Sequence, residues 1–358
     1  LIFSFLIFFL NLFLFLTDPS VPLPSQKLKF IDENNYTPAV APITFLKSDN
    51  EILPLSGLSN KKTVTANENG YWGMFNSDEF GFNNKKDQHK NILNANNKKL
   101  IFLGDSMTQG SAVHQNETFV HIINENDDFT TLNLAYGGNG LLLSMATYME
   151  YGKHIKNSNV IFCFYEGNDF YEYEVEEKNN VILKKYFNKN YSQNLKNYNV
   201  KKDTLIKSKI LQEKKFVEKN KFKDKIIYYY SEIIKMNHLR KRIGLLNNNK
   251  EIYAYSDQNF IVFEKILDQY QEILSENESS FTFIYVPARE HFFSKSPYNK
   301  VYKRIIKILK RKNINYIDLY SEIKSSKNPL GFFPKKVMRH FSAEGHKELS
   351  KIIIKNIH

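Results

Sequence analysis

Three polar side chains that could carry out acyl transfer follow or precede apolar segments at separate places in the chain. Ser106 comes three residues after the apolar run 100–103, Asn168 follows a second run at 159–165, and His340 precedes the last amphipathic segment. A serine hydroxyl attacks an ester carbonyl when a histidine accepts its proton. These residue types therefore indicate a nucleophile and its base, provided that the fold brings Ser106 and His340 together.

The segments that must position these residues alternate in hydrophobic period from residue 98 onward. Strand-like runs lie at 98–104, 129–135, 159–165, 280–286 and 313–319, with helical stretches around 117–126, 140–155, 257–276, 297–312 and 343–357. This alternation predicts an α/β fold, a flavodoxin-like three-layer α/β/α sandwich with a five-stranded parallel sheet. In a strand order of 2-1-3-4-5, the switch point lies between strands one and three. Ser106 and Asn168 are therefore expected at one crevice.

Four sequence blocks carry a family resemblance. They are the Gly-Asp-Ser at 104–106, the glycine-containing 133–140, the Glu-Gly-Asn-Asp at 166–169 and the block 339–346. In this order they resemble the GDSL-type or SGNH hydrolase family, over about residues 95 to 358. The four letters of SGNH fall on Ser106, Gly138, Asn168 and His340. The resemblance implies that Ser106 is the nucleophile, that His340 is the base, and that the Ser106 N–H, the Gly138 N–H and the Asn168 side chain form the oxyanion hole. A glycine at 138 suits that role because no Cβ obstructs the substrate.

The acid that completes the triad in this family is missing from its usual place. The family has it two or three residues before the histidine, where this chain has Met338 and Val337. We therefore predict a Ser106–His340 dyad in which a backbone carbonyl of the 335–339 loop orients the imidazole. Asp318, at the end of the last strand, and Glu290, after strand four, are the alternative acids, and an inactive protein is the remaining alternative. Asp105, Asp169 and His346 are interpreted as structural.

Composition restricts the class of protein. The 358 residues carry a formal net charge of +12 and 42% hydrophobic residues, which is enough for a substantial core. The single Cys163 excludes an internal disulfide and a cysteine-based metal cluster, and no zinc-type histidine spacing occurs. No cofactor or metal is expected. Nucleic acid is not expected as a partner, because no recognition module is visible.

The N-terminal residues 1–16 are apolar except for Ser4 and Asn11. They predict a membrane anchor that is retained, in preference to the apolar centre of a cleaved signal peptide. Either interpretation predicts membrane targeting and a catalytic domain on the extracytoplasmic side, which is the periplasm if the protein is bacterial.

The remaining chain divides into a linker and lead-in segment at 17–95 and a hydrolase domain at 96–358. Residues 17 to about 60 are expected to have little regular structure, whereas the aromatic-rich 71–82 is expected to pack against the domain. A helical insert at about 170–256 interrupts the alternation. Between residues 200 and 250 it has 15 Lys or Arg against 5 Asp or Glu. It is interpreted as a solvated helical excursion, as a lid, or as a basic cap that faces anionic lipid or acidic polysaccharide.

Together these features predict an exported or membrane-anchored serine esterase that cleaves a small ester, such as an acetyl group on a carbohydrate. The acylated polysaccharide or other small ester would be its substrate. The alternatives are an O-acyltransferase that acts on a cell-surface polysaccharide, a lipid esterase, and a catalytically weak carbohydrate-binding relative.

Overall fold

A computed structural model of the chain describes residues 2–17, 22–48, 50–242, 255–293, 296, 298–336 and 338–357. The strands form two sheets. The strands of the small sheet are β1 (Thr37–Pro38), β2 (Lys62–Val64) and β3 (Met74–Asn76), and those of the large sheet are β4 (Lys98–Gly104), β5 (Phe129–Asn133), β6 (Ser158–Tyr165), β7 (Ser280–Val286) and β8 (Asn315–Asp318).

The large sheet is entirely parallel, and its strand order is β5-β4-β6-β7-β8. When these five strands are numbered from one to five along the chain, their order in the sheet is 2-1-3-4-5, as predicted. The predicted flavodoxin-like topology is thus confirmed. The carboxyl end of β4 lies next to that of β6, because Gly104 is in register with Cys163. The segments that follow these two strands begin side by side at the switch point.

Helices cover both faces of this sheet. The α-helices of the described residues are α1 (Ile2–Thr17), α2 (Pro24–Asn34), α3 (Gln88–Asn94), α4 (Ser106–Gln109), α5 (Phe119–Asn124), α6 (Leu141–Thr147), α7 (Asp169–Glu172), α8 (Val181–Lys185), α9 (Asn199–Tyr229), α10 (Asn237–Arg242), α11 (Asp257–Ser275), α12 (Asn299–Arg311), α13 (Leu319–Ser325) and α14 (Ala343–Asn356). Single π-helical turns continue α6, α7 and α9 at Tyr148–Gly152, Tyr173–Glu177 and Tyr230–Ile234.

The hydrophobic core has two halves, one on each face of the sheet. Successive side chains of a strand point to opposite faces. On β4, Ile101 and Leu103 therefore pack with α6, α11 and α12, whereas Leu100 and Phe102 pack with α5, α13 and α14. All four of these β4 side chains are buried. The buried sheet fixes β4 rigidly, and with it the position of the residue that follows the strand.

The segment before β4 differs from the expected linker, because it is folded onto the large sheet. Its apolar side chains belong to the same core as Ile101 and Leu103; they include Val40, Phe45, Leu53, Leu55, Leu58 and Phe82. The Asn84 side chain also pairs with the exposed edge of β5. Its Nδ2 donates to the Asn133 carbonyl at 2.9 Å, and its Oδ1 accepts from the Asn133 N–H at 2.8 Å. The Pro, Ser and Asn content suggested a linker, but the apolar residues between them supply the packing.

The insert begins in contact with the body of the protein and then extends away from it. Lys202, near the start of α9, is fully buried and donates to the Gly57 carbonyl at 2.9 Å. Of the 31 residues of α9, only Lys202 and Ile206 are buried. Residues 243–254 of the predicted insert lie outside the described residues. The lid function stays a prediction.

Across the described ranges, no helix combines the length and the apolar character that crossing a membrane requires. The extracytoplasmic location stays a prediction.

Candidate active site

Ser106 is the first residue of α4, two residues beyond the end of β4. Gly104 has φ of +140°, and a Cβ there would lie 2.7 Å from the Cys163 carbonyl oxygen, so the tight turn requires glycine. Asp105 follows as the N-cap of α4, and its Oδ1 accepts from the Met107 N–H at 2.8 Å. This capped turn holds the half-buried Ser106 at the edge of the sheet where ligands bind in such folds.

His340 lies against Ser106, as the sequence predicted that a base should. The loop that precedes α14 places His340 Nε2 at 2.9 Å from Ser106 Oγ. The Ser106 hydroxyl is farther, at 3.4 Å, from Asp105 Oδ2. Donation from Ser106 Oγ to His340 Nε2 is therefore the stronger hydrogen bond of the hydroxyl, and it is the contact through which a base takes up the serine proton.

Glu68 occupies the position of the missing acid. Its Oε1 lies 2.8 Å from His340 Nδ1, and its Oε2 accepts from the backbone N–H groups of Arg339 at 3.0 Å and His340 at 2.9 Å. The side chains of Glu68 and His340 are only 12% and 13% exposed. Burial tends to raise the pKa of Glu68, but the charge and hydrogen bonds of His340 and the two backbone donors outweigh it and lower that pKa below its ordinary value. Glu68 is therefore a carboxylate at neutral pH.

The predicted dyad is thus wrong, because a carboxylate and not a backbone carbonyl contacts His340 Nδ1. The prediction of Asp318 or Glu290 as the alternative acid is also wrong. Asp318 accepts from Tyr302 Oη at 2.5 Å and caps α13 through the Ser321 N–H at 3.1 Å. Glu290 pairs with the neighbouring Arg289, with Nη2 and Oε1 at 2.8 Å. Glu290 follows β7 and Asp318 ends β8, whereas the acid that contacts His340 lies on the loop between β2 and β3 of the small sheet.

The loop that carries Glu68 connects β2 to β3 and is fastened to the segment after α4. Asn69 Nδ2 donates to the Ala112 carbonyl at 2.8 Å, and Tyr71 Oη donates to Glu117 Oε2 at 2.7 Å. Gly73 approaches the same backbone so closely that a Cβ would lie 2.7 Å from the Ala112 nitrogen. These contacts bring Glu68 to the Ser106 side of the site, although it lies 272 residues before His340.

Sequence reasoning missed Glu68 because it searched only the residues near His340 and the strand ends. One signal was available. The aromatic-rich 71–82 was expected to pack against the domain, and Glu68 lies three residues before it. A carboxylate on a segment that packs against the nucleophile strand is a candidate acid, whatever its distance along the chain.

Gly138 and Asn168, the other two predicted oxyanion residues, lie after β5 and β6, the two neighbours of β4 in the sheet. A Cβ at Gly137 would lie 3.6 Å from the Ser106 Cβ, so this loop passes directly over the serine. Gly138 has φ of +79°, which favours glycine, and its α-carbon faces Ile43 and Ala41 of the preceding segment. Asn168 follows β6, and its Nδ2 donates to Glu172 Oε1 at 2.7 Å. The oxyanion role of Ser106, Gly138 and Asn168 stays a prediction.

Two buried carboxyl groups lie beneath the site. Burial raises the pKa of Asp105. Burial also raises the pKa of Asp169, and the negative charges of Asp105 and Glu172 raise it further. Asp169 Oδ2 accepts from the Tyr165 N–H at 3.0 Å, and Asp105 caps α4. Both side chains therefore support the backbone of the two loops, which fits their structural interpretation.

His346 is buried beside the site without contacting Ser106. Burial, together with the charge of His340, lowers its pKa to about 3. Its Nδ1 accepts from the Phe119 N–H at 3.3 Å. The neutral ring thus joins α14 to α5. Within the described part of the chain, no group of three or more His, Cys, Asp or Glu residues could hold a metal ion.

Comparison with known proteins gives a likeness of fold. No protein-family model matches the chain, and no curated protein matches it in sequence. Solved structures with a similar fold include a member of the lipolytic G-D-S-L family from Veillonella parvula, which is 10% identical, with coverage of 72% of this chain and 97% of that one and a TM-score of 0.39. A lipase/acylhydrolase from Enterococcus faecalis is 14% identical, covering 72% and 94%, with a TM-score of 0.38. A family two carbohydrate esterase from Clostridium thermocellum, in complex with cellohexaose, is 9% identical, covering 72% and 62%, with a TM-score of 0.36.

Proposed function

We propose that this chain is a serine esterase of the SGNH type in which Ser106, His340 and Glu68 form the catalytic triad. The observation that carries the proposal is the continuous hydrogen-bonded path of 2.8 Å from Glu68 to His340 and 2.9 Å from His340 to Ser106. An acid, an imidazole and a hydroxyl in that order activate a serine on several unrelated folds. The acid had been missing from the sequence interpretation. Its absence was the reason for considering a catalytically weak binding protein, so Glu68 supports an active enzyme.

The mechanism follows from these contacts. Ser106 Oγ attacks the ester carbonyl carbon while His340 Nε2 takes up the hydroxyl proton, and a tetrahedral oxyanion forms. Glu68 accepts the Nδ1–H of His340, which leaves Nε2 free to act as the base, and its negative charge stabilises the imidazolium. The intermediate then expels the alcohol, which receives the proton from His340. Water, deprotonated in turn by His340, attacks the acyl carbon. The second tetrahedral intermediate then breaks its bond to Ser106 Oγ, which takes back the proton from His340 as the carboxylic acid leaves.

The oxyanion needs donors that are in place before the reaction. In this proposal the backbone N–H groups of Ser106 and Gly138 and the amide of Asn168 supply them. Ile43 and Ala41 support the glycine loop from behind, with a Cβ at Gly138 placed 3.0 Å from Ile43 Cγ2. The loop is therefore held close to the serine by the same preceding segment that supplies Glu68.

The proposed substrate is a small ester, with acyl groups on a carbohydrate as the first class to test. The assay measures hydrolysis of p-nitrophenyl esters of increasing acyl length and release of acetate from an acetylated oligosaccharide by the purified protein. Ser106→Ala is expected to lower turnover by about a thousandfold or more. The melting temperature should stay unchanged, because the hydroxyl contributes little packing.

Ser111→Ala is the matched control, because this buried serine lies just after α4 and its Oγ contacts Gln109 Oε1 at 3.3 Å. It should keep its activity. Equal activity of Ser106→Ala and the unaltered protein would refute the nucleophile. A preference for long acyl chains would favour the lipid esterase, and transfer of the acyl group to added oligosaccharide would favour the acyltransferase.

A further inference from the structure

Two segments far apart in the chain expose apolar side chains on one region of the surface. On α1 they are Phe5, Leu6, Phe9, Leu10, Phe13 and Leu16, and at the end of α9 and in the π turn after it they are Phe222, Ile226, Ile227, Tyr229, Tyr230 and Ile234. Each is between 42% and 78% exposed. We call these twelve side chains the apolar tip. Clustered apolar exposure of this extent marks a surface that another phase or molecule covers.

The two segments are packed together through a polar side chain in the middle of α1. Asn11 is fully buried, and its Nδ2 donates to the carbonyl of Glu232 at 3.0 Å and to that of Ile233 at 3.3 Å. Its Oδ1 accepts from the Leu239 N–H at 3.2 Å. The Phe15 ring also contacts the ring of Tyr228, with centroids 6.1 Å apart. The buried Asn11 thus fixes α1 against the turn after α9.

The apolar tip lies at the far end of a helical arm. Ile206, in the second turn of α9, is buried in the main core, whereas Tyr229 ends the helix. The rise of an α-helix places these two residues about 35 Å apart along the axis. Between them, α2 lies alongside α9, where Lys214 pairs with Asp32 at 2.8 Å. The arm therefore holds the tip away from the sheet.

Positive charge surrounds the tip. From residue 219 to residue 242 the chain has eight Lys or Arg and two Asp or Glu, a net charge of +6. Lys221, Lys223 and Lys225 are exposed at the end of α9. A second copy of this surface would bring the same charges face to face, which disfavours self-association. An anionic lipid surface complements both features, because it takes up the apolar side chains and attracts the lysines.

We propose that the apolar tip inserts into the surface of an anionic lipid bilayer while the surrounding lysines contact the lipid headgroups. The end of α9, the π turn after it and α1 then together form a membrane-binding arm. This role is independent of ester hydrolysis, since it involves none of the residues near Ser106.

The test is co-sedimentation of the full chain with vesicles of phosphatidylcholine alone and of phosphatidylcholine with about 30% phosphatidylglycerol. The unaltered protein should bind the anionic vesicles much more tightly. Substituting Lys221, Lys223 and Lys225 together with Gln should weaken this binding by about a hundredfold at low salt, since each lysine near such a surface contributes about a fivefold change. Phe9→Ser combined with Ile227→Ser should weaken it by more than about tenfold.

Matched controls come from surfaces outside the tip. Lys300, Lys303 and Lys307 are exposed on α12, and Val181 and Ile261 are exposed apolar residues elsewhere. The triple Gln variant on α12 and the double Ser variant at Val181 and Ile261 should bind vesicles as the unaltered protein does.

Failure of the full chain to bind anionic vesicles would overturn the proposal, and so would equal binding by tip and control variants. A dimer in light scattering that dissociates in Phe9→Ser with Ile227→Ser, without vesicle binding, would assign the tip to a second copy instead.

Discussion

Replacing Glu68 with Gln tests the triad most directly, because the two side chains have nearly the same shape. The carboxylate contacts His340 Nδ1 at 2.8 Å in a site where both side chains are about one-eighth exposed. At an effective dielectric constant of about 20, opposite unit charges about 4 Å apart attract by about 4 kcal/mol. Loss of this stabilisation of the imidazolium corresponds to about a thousandfold in rate.

The amide has a second effect, on the tautomer. If the new side chain of the Glu68→Gln variant presents its NH₂ to His340, Nδ1 must accept a hydrogen bond, and the ring proton moves to Nε2, facing Ser106. The base is then blocked, and an equivalent Asp-to-Asn change in a serine protease costs about 10⁴ in turnover. We therefore expect Glu68→Gln to lower kcat by about 10³ to 10⁴, with KM for a small ester little changed.

The assay is p-nitrophenyl acetate hydrolysis, together with a melting curve that verifies the fold. Asp318→Asn and Glu290→Gln are the controls, since these carboxylates contact Tyr302 and Arg289 instead of His340. They should keep activity within a few-fold. A Glu68→Gln protein with more than about a tenth of the original kcat would refute the triad. A thousandfold loss in either control would return the acid role to the strand ends.

Two further predictions concern the surroundings of the triad. Glu172→Ala should lower kcat about tenfold with KM unchanged, because Glu172 Oε1 holds the Asn168 amide at 2.7 Å. Glu172→Gln should keep much of the activity. A kcat of the Ala variant equal to that of the unaltered protein would contradict this positioning role. The free energy of unfolding should fall as pH drops below about 6.5, because unfolded His346 takes up a proton while the buried ring, with its pKa of about 3, does not. His346 contributes at most about 1.4 kcal/mol per pH unit to the slope of the unfolding free energy against pH. Urea unfolding of His346→Gln at pH values between about 4 and 7 should therefore show an unfolding free energy that depends less on pH.

The five strands of the large sheet and their order could be predicted because most side chains of β4, β5, β6 and β7 are buried. Such strands read as continuous apolar runs bounded by turn residues, and the helices between them show a clear amphipathic period. Predicted 98–104 and 280–286 coincide with β4 and β7, whereas 129–135 extends two residues beyond β5. The placement of Ser106 and Asn168 beyond the ends of two adjacent strands then follows from topology alone.

The acid could not be predicted in the same way, because no local pattern connects a loop residue to a partner 272 positions away. Glu68 lies between two three-residue strands whose sequence resembles a surface hairpin. Its position depends on contacts at Ala112 and Glu117, which only the folded chain brings together. Topology places the carboxylates of Asp318 and Glu290 at the strand ends, where a catalytic acid would be expected. In the structure they form hydrogen bonds with Tyr302 and Arg289 instead of His340.

The segment before β4 therefore belongs to the proposed catalytic unit in three physical respects. It supplies Glu68 to His340, it supports the Gly138 loop through Ile43, and it covers the exposed edge of β5 through Asn84. An unpaired sheet edge favours aggregation, so the last of these contacts also protects the sheet. Because the same stretch both contacts His340 and packs in the core with Ile101 and Leu103, the geometry of the proposed triad depends on the packing of this segment. A catalytic fragment that began at residue 96 would retain the nucleophile and the base but would lack both their acid and the cover over β5.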